Sequence, residues 1–379
     1  MAAAVAAPTS DIISNSNNDV EKTLTLQERS KLRVQELEAS FEWFQEKTSQ
    51  EYGRSFSPRP TDVFITTYPK CGTTWVSQIC HQLRTGGHTD FEEITAVVPW
   101  DVHAKACGQN LDDDQVAEPR LFKSHESYDD IAKGGKYIHV CRHPEDTFLS
   151  YYRFLPGNHG LAPGEITCED FLDAKVLFGA DLWDFFVSYW EQRNNPNVLW
   201  IAYEDLRKDL PSQVRKIAKF MNIELTPELL ETVLELSSFK WMEAHSRQFD
   251  EHFLIEKKGI VKSCEGVSKV RKGGGVSGEG KSVLTEDFKA VLQKRWDEQV
   301  LPKTGFADYS EMLTAIHALH EEQSAPKSES DEKPTLLRSL SRQQQGSDNN
   351  SNQQLPLAEK HPQQQQTATA PASAVAGDQ

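Results

Sequence analysis

The chain has 379 residues, a formal net charge of −16 and only 37% apolar residues. The acidic balance, with no basic stripe interleaved with aromatics, argues against a nucleic-acid binder, and no apolar run is long enough to span a bilayer. The six cysteines, Cys71, Cys80, Cys107, Cys141, Cys168 and Cys264, show no C-x-x-C pair and no Cys/His spacing of a zinc site, so free thiols in a reducing compartment and no metal are expected.

Both ends differ from the middle. Residues 1–25 are small, polar and rich in Asn and Ser, and from 321 onward the chain is Ser, Gln, Pro, Asn and Ala with almost no aromatics. Such segments bury too little surface to offset their ordering entropy, so disordered tails over 1–25 and 321–379 are expected. The tail's Arg338-Ser339-Leu340-Ser341 reads as solvated linker before it reads as a modification site. The first acid, Asp11, precedes the first base, Lys22, which disfavours a signal or transit peptide, and a cytoplasmic location is expected. About 290 residues remain, enough for one α/β domain over 26–320.

Residues 26–50 carry Leu26, Leu32, Val34, Leu37 and Phe41 among charges, an amphipathic helix. A proline-rich turn follows over 55–60. Asp62-Val63-Phe64-Ile65 then reads as a strand and Val76 to Leu83 as a helix, with Thr66-Thr67-Tyr68-Pro69-Lys70-Cys71-Gly72-Thr73-Thr74-Trp75 between them. A helix N-terminus offers unpaired N–H groups and a positive dipole end. Gly72 permits close backbone approach, Thr73 and Thr74 add hydroxyls, and Lys70 adds a mobile charge. An anion site is one reading; a surface turn with a capping threonine is the other. Trp75 offers a ring for a base to stack on, or fills the core.

Residues 86–119 read as loop with short helix. They contain the apolar Val97-Val98-Pro99-Trp100 and a solvated acidic knot, Asp112-Asp113-Asp114, without the spaced ligands of a calcium loop. Arg120 to His125 is a short strand ending in Lys123-Ser124-His125. Tyr137 to Cys141 is another, followed by Arg142 and a helix whose start is marked by Pro144, Glu145 and Asp146 and which carries Ser150. Asn197 to Leu206 is a further strand containing Tyr203-Glu204-Asp205. Strand-then-helix units with long connections predict a parallel sheet with helices on both faces and ligand groups at the strand C-terminal ends.

Near the end, Gly275-Val276-Ser277-Gly278-Glu279-Gly280-Lys281-Ser282 has the Walker A spacing. The polar, glycine-interrupted residues before it give it no strand, and too little chain follows for a P-loop domain. Upstream, Arg271-Lys272-Gly273 puts two cations beside glycine-rich backbone, a combination suited to a phosphate.

Taken together, these segments resemble the cytosolic sulfotransferase family, in family order over roughly residues 40–300. The first loop resembles T-Y-P-K-S-G-T-T-W, with Cys71 for serine; Lys123-Ser124-His125 resembles K-T-H; Arg142 to Ser150 resembles R-x-x-x-D-x-x-x-S; Tyr203-Glu204-Asp205 resembles Y-E-D; Ser237-Ser238-Phe239-Lys240 resembles T-S-F-K; and Arg271-Lys272-Gly273 resembles R-K-G. The resemblance implies a single P-loop-like α/β domain that moves a sulfuryl group from 3′-phosphoadenosine 5′-phosphosulfate (PAPS) to a small acceptor, without metal. It implies His125 as the base, with Lys70 and Lys123 stabilising charge. Lys70, Cys71, Gly72, Thr73 and Thr74 would hold the 5′-phosphate side. Arg142, Ser150, Arg271, Lys272 and Gly273 would hold the 3′-phosphate, and Trp75, Tyr203, Ser238 and Phe239 would lie about the adenine. Trp100 and Phe154 would line the acceptor pocket, with the Phe249–Leu254 stretch nearby.

The chain departs from the family where Gly273 to Lys281 is longer and lacks a tryptophan, which predicts a more mobile closing loop. The family's dimer motif is half present: Lys281 and Thr285 match, while Glu286 and Ala290 do not, so monomer and homodimer stay open. The acceptor, whether alcohol, phenol, steroid or amine, is also open. Two rival readings are an ATP-dependent kinase or ATPase built on residues 275–282 and a non-catalytic nucleotide-binding protein.

Overall fold

The computed structural model describes residues 24–40, 46–159, 161–174, 181–258, 269–270 and 278–324. Its centre is a four-stranded, wholly parallel sheet in the order β2-β1-β3-β4, formed by β1 (Val63–Thr67), β2 (Leu121–Ser124), β3 (Lys136–Cys141) and β4 (Val198–Ala202). Ile65 lies opposite Lys123 on one side and Ile138 on the other, and His139 lies opposite Trp200.

Parallel strands covered on both faces read as near-continuous apolar runs, and these strands do. Val63, Ile65, Leu121, Ile138, Val140, Leu199 and Ile201 face one core. There they meet α1 (Thr73–Thr85), through Val76 and Ile79, and residues Val214, Ile217 and Val233 of later helices. Phe64, Phe122 and Tyr137 face the other core, with the Phe64 ring 5.1 Å from Phe122 and 5.6 Å from Tyr137. That side is covered by α2 (Pro144–Asn158), α3 (Leu182–Trp190), and α4 (Glu286–Gln299) with α5 (Tyr309–Ser324). The expected parallel sheet with helices on both faces is therefore the observed one.

Some expectations change in detail. The amphipathic stretch 26–50 contains two helices, Leu26–Ser40 and the first part of Lys47–Ser55, where a single helix was expected. Tyr203-Glu204-Asp205 does not end a strand: Tyr203 opens the helix Tyr203–Lys208 directly after β4, with both acids in its first turn. Acids there complement the helix dipole, a signal that outweighs the apolar run before it. The acidic knot is exposed but tethered, with Asp114 accepting from Arg59 at 2.8 Å and the Asp113 carbonyl accepting from Arg120 at 3.1 Å. Thr285, half of the dimer-motif match, caps α4 by accepting from the Phe288 N–H at 3.2 Å. α5 runs to Ser324, past the expected domain end at residue 320. Among the described residues no helix is long and apolar enough to cross a membrane.

Candidate functional site

The C-terminal end of β1 turns sharply into α1. Lys70 and Gly72 both take left-handed backbone conformations, at φ 72° and 105°. At Gly72 this is where glycine is required twice over, because a Cβ would also lie 2.9 Å from the Tyr203 ring. No side chain caps α1 at Gly72, so its first N–H groups are left open toward the turn. Thr73 turns its hydroxyl inward to Thr67, 2.5 Å away, while Thr74 is half-buried beside it. The Lys70 ammonium lies 3.5 Å from the centre of the Phe154 ring.

Cys71 follows Lys70 in this turn. Its thiol is fully buried in the core against Thr147 Oγ1 at 3.5 Å, and its N–H donates to the Tyr68 carbonyl at 3.2 Å. Burial raises its pKa to about 12. The cysteine that stands for the family's serine thus turns its side chain into the core.

β2 lies beside β1 and delivers Lys123 and His125 to the same end. The Lys123 ammonium sits 3.5 Å from the centre of the Trp100 ring, and the His125 ring packs edge-on to that indole at 5.0 Å. His125 Nδ1 is 2.6 Å from the Thr67 carbonyl. A carbonyl only accepts, so Nδ1 carries the hydrogen and Nε2 is the basic nitrogen. Burial, and then the Lys123 charge, lower the His125 pKa to about 3, so the ring is neutral at physiological pH. Burial, and then Lys269, lower Lys123 to about 8. The Lys123 ammonium is also 3.5 Å from the Glu251 carboxylate, which lies 2.9 Å from Lys269. Burial would raise the Glu251 carboxyl, but Lys269 and Lys123 hold it well below the usual carboxylate range.

Directly after β3 comes Arg142, which is buried. One guanidinium nitrogen donates to the Lys70 carbonyl at 3.0 Å, the group lies 4.4 Å from the Tyr203 ring centre, and Nε has no hydrogen-bond partner among the described residues. Ser150 is buried two turns into α2. The Tyr203 ring meets Trp75 edge-on at 5.9 Å, and the Trp75 indole N–H donates to the Ser237 carbonyl at 2.8 Å. That bond ties the first loop to Ser238 and Phe239 across a long stretch of chain. Ser238 Oγ caps the helix Phe239–Ala244 by accepting from the Trp241 N–H at 3.2 Å, which gives this serine a structural reason to be there.

Arg271, Lys272 and Gly273 lie outside the described residues. The Walker-like run enters them at Gly278, where its glycines already hold a carboxylate. The Gly278 and Gly280 N–H groups donate to the two oxygens of Asp146 at 2.7 and 2.8 Å. A Cβ on Gly280 would lie 2.7 Å from the Glu145 backbone, so this glycine serves close packing on α2. The sequence reading did not single out Glu251, Lys269 or the Arg142–Tyr203 stack. Glu251 lies within the aromatic Phe249–Leu254 stretch, and nothing local marks it.

The sequence matches the family model for the sulfotransferase domain over residues 60–305. The chain belongs to the sulfotransferase family. Sulfotransferase 1B1 of Mus musculus is 30% identical over 262 residues, covering 63% of this chain and 84% of the relative. The amine sulfotransferase of Oryctolagus cuniculus is 32% identical over 203 residues, 49% of this chain and 64% of the relative. Among solved structures, mouse sulfotransferase SULT7A1 complexed with PAP superposes with a TM-score of 0.53 at 22% identity, over 73% of this chain and 94% of the other. Retinol dehydratase in complex with androsterone and PAP gives 0.53 at 19% identity, over 69% and 86%. At those identities the structures establish a shared fold. In this sulfotransferase the turn before α1, the lysine–histidine pair and the arginine–tyrosine stack all stand at the same end of the parallel sheet.

Proposed function

We propose that this sulfotransferase uses PAPS as donor and His125 as the base that takes the acceptor's proton. The observation that carries the reading is the His125 tautomer. The Thr67 carbonyl holds the hydrogen on Nδ1, which makes Nε2 the nitrogen able to accept a proton, beside Lys123.

The residues present fit a nucleotide with phosphate at both ends. Gly72 lets the Tyr203 ring pack directly on the turn, where a Cβ would come within 2.9 Å of it, and α1 has no side-chain cap. The buried Arg142 Nε is without a partner among the described residues, a donor set aside for an anion. Lys70, Gly72, Thr73 and Thr74 would hold the 5′-phosphate side. Arg142 and Ser150 would hold the 3′-phosphate, with Arg271, Lys272 and Gly273 added from outside the described residues. Trp75, Tyr203 and Phe239 would form the adenine wall.

PAPS supplies an activated sulfuryl group. The acceptor's oxygen or nitrogen bonds to sulfur as the bond from sulfur to the 5′-phosphate oxygen breaks. The acceptor proton passes to His125 Nε2, and the electron pair stays on the 5′-phosphate oxygen beside Lys70. Lys123 steadies the sulfuryl oxygens. Lysines and oriented N–H groups supply the positive field that this transfer needs. The acceptor is a small hydroxyl or amine compound.

The test has two arms. Calorimetry without magnesium should show 3′-phosphoadenosine 5′-phosphate (PAP) binding far more tightly than ATP or 5′-AMP. Transfer of labelled sulfuryl from PAPS to a panel of phenols, alcohols and amines should fall by about 10²–10⁴ in His125→Ala, the worth of a general base, while PAP binding persists. A preference for ATP would remove the donor assignment, and near-normal transfer by the variant would remove His125 as base.

A further inference from the structure

Glu251 stands out once the site is assembled. It is one of few non-glycine residues at positive φ, 72°, immediately before the helix His252–Lys257, and its side chain makes no capping bond to that helix. The His252 N–H is taken by Asp250, so the Glu251 side chain is not needed there. Instead the carboxylate reaches across the fold, 2.9 Å from the Lys269 ammonium and 3.5 Å from Lys123, and the Lys70 charge acts on it too. Lys123 is buried between this carboxylate and the Trp100 ring, beside His125. The buried Glu93 lies behind this pair, 4.0 Å from Lys269, but Glu251 is the carboxylate that bridges Lys269 and Lys123, among the cations that the transferring group needs.

We infer that Glu251 is a positioning residue that holds Lys123 in the donor-free enzyme and occupies the ground that the donor's sulfonate must take. This rests on the donor reading above and extends it to a residue without a motif. A buried ammonium without an anion is costly, so the carboxylate keeps Lys123 charged and placed over Trp100. The sulfonate carries the same sign as the carboxylate and competes for the same lysines. Donor entry then exchanges one anion for another, and product departure lets the carboxylate return. PAP lacks the sulfonate, so its binding does not require the exchange.

The distinguishing experiment compares PAPS and PAP on the full chain. In Glu251→Gln the affinity for PAPS should rise by about tenfold, with a matching fall in donor KM, because a like charge is gone from the sulfonate's ground and Lys123 is left for it, while Lys269 keeps Glu93. The affinity for PAP should move less than about twofold, and kcat should not rise. A purely structural ion pair would weaken both nucleotides together, so an unchanged PAPS-to-PAP ratio, or weaker PAPS binding, overturns the inference. If Glu251→Gln does not fold by circular dichroism, Glu251→Asp decides: its shorter carboxylate should shift the ratio in the same direction by a smaller factor, and no shift overturns the inference. Failure of the donor reading itself looks different, since then neither nucleotide binds the unaltered protein.

Discussion

Lys123 occupies a position that costs it charge. Burial and Lys269 lower its pKa to about 8, so it loses its proton as pH rises through about 8. His125, at about 3, is already neutral well below the usual histidine range. If His125 accepts the acceptor's proton and Lys123 acts as a cation, kcat/KM should show no acidic limb near 6.5 and should fall above about pH 8, since this ratio reports the free enzyme. Lys123→Met should remove the alkaline limb and lower the plateau by about 10²–10³, the usual worth of one electrostatic stabiliser. A rate profile from pH 5 to 10 checks both; an acidic limb at 6.5 that disappears in His125→Gln would show an ordinary histidine instead. At this scale legibility was uneven. Lys70, Gly72, Thr73 and Thr74 could be read because turn chemistry is local. Cys71 stands where the resemblance has a serine, and nothing in the sequence shows that its thiol packs against Thr147 in the core. Glu251 could not be read at all, because its partner Lys123 lies 128 residues away.

Among the elements, the strands were the most legible, because burial on both faces makes them apolar without interruption. Helix starts were next: Pro144 with Glu145 and Asp146 marked α2 correctly. What the pattern could not show is that Asp146 does more than complement a dipole. Its two oxygens accept from the Gly278 and Gly280 N–H groups, and so fasten the Walker-like run to α2, four residues before Ser150. The spacing that suggested a nucleotide phosphate site is met by a carboxylate of the chain itself, through the same physics of oriented N–H donors. Asp146→Asn replaces one accepting oxygen by an amide that can only donate. It should cost about 1–2 kcal/mol, in the range of a lost cap or a charge-assisted bond, and lower the melting temperature by about 2–8 °C. An unchanged melting curve would mean that these two bonds contribute nothing.

Over the whole molecule, the sheet's two cores differ in kind. The face toward α1 is aliphatic, and the face toward α3 is aromatic and includes His139. The edge strand β4 and the helix after it are held by α5, through Tyr309 donating to Glu204 at 2.9 Å, His317 beside Asp205 at 2.8 Å and the His320 ring on the Trp200 carbonyl at 2.8 Å. No sequence period could foretell these bonds, since they join residues about a hundred positions apart. His139 itself is fully buried, stacked on Tyr189 at 4.2 Å, and neither ring nitrogen has a hydrogen-bond partner among the described residues.

Burial lowers the pKa of His139 to about 3, against an ordinary value near 6.5. The sign follows from linkage. Below about 6.5 the unfolded chain takes a proton at this residue and the folded protein does not, until pH approaches 3. Stability present above 6.5 is therefore lost as pH falls, by about 1.4 kcal/mol per pH unit for this histidine. Asp101 opposes it: burial and Glu126 raise its carboxyl to about 7, so folding favours its protonated form as pH falls. The total acid response is thus a difference between opposing groups, and a single variant isolates one of them. His139→Phe keeps a ring on Tyr189 and removes the titration. Urea unfolding at several pH values between about 6 and 4 should give a pH slope shallower by about 1.4 kcal/mol per unit, with similar or greater stability at pH 5. An unaltered slope would mean that His139 is protonated in the folded state, and that the aromatic core around it holds a charge or a partner that its neighbours do not supply.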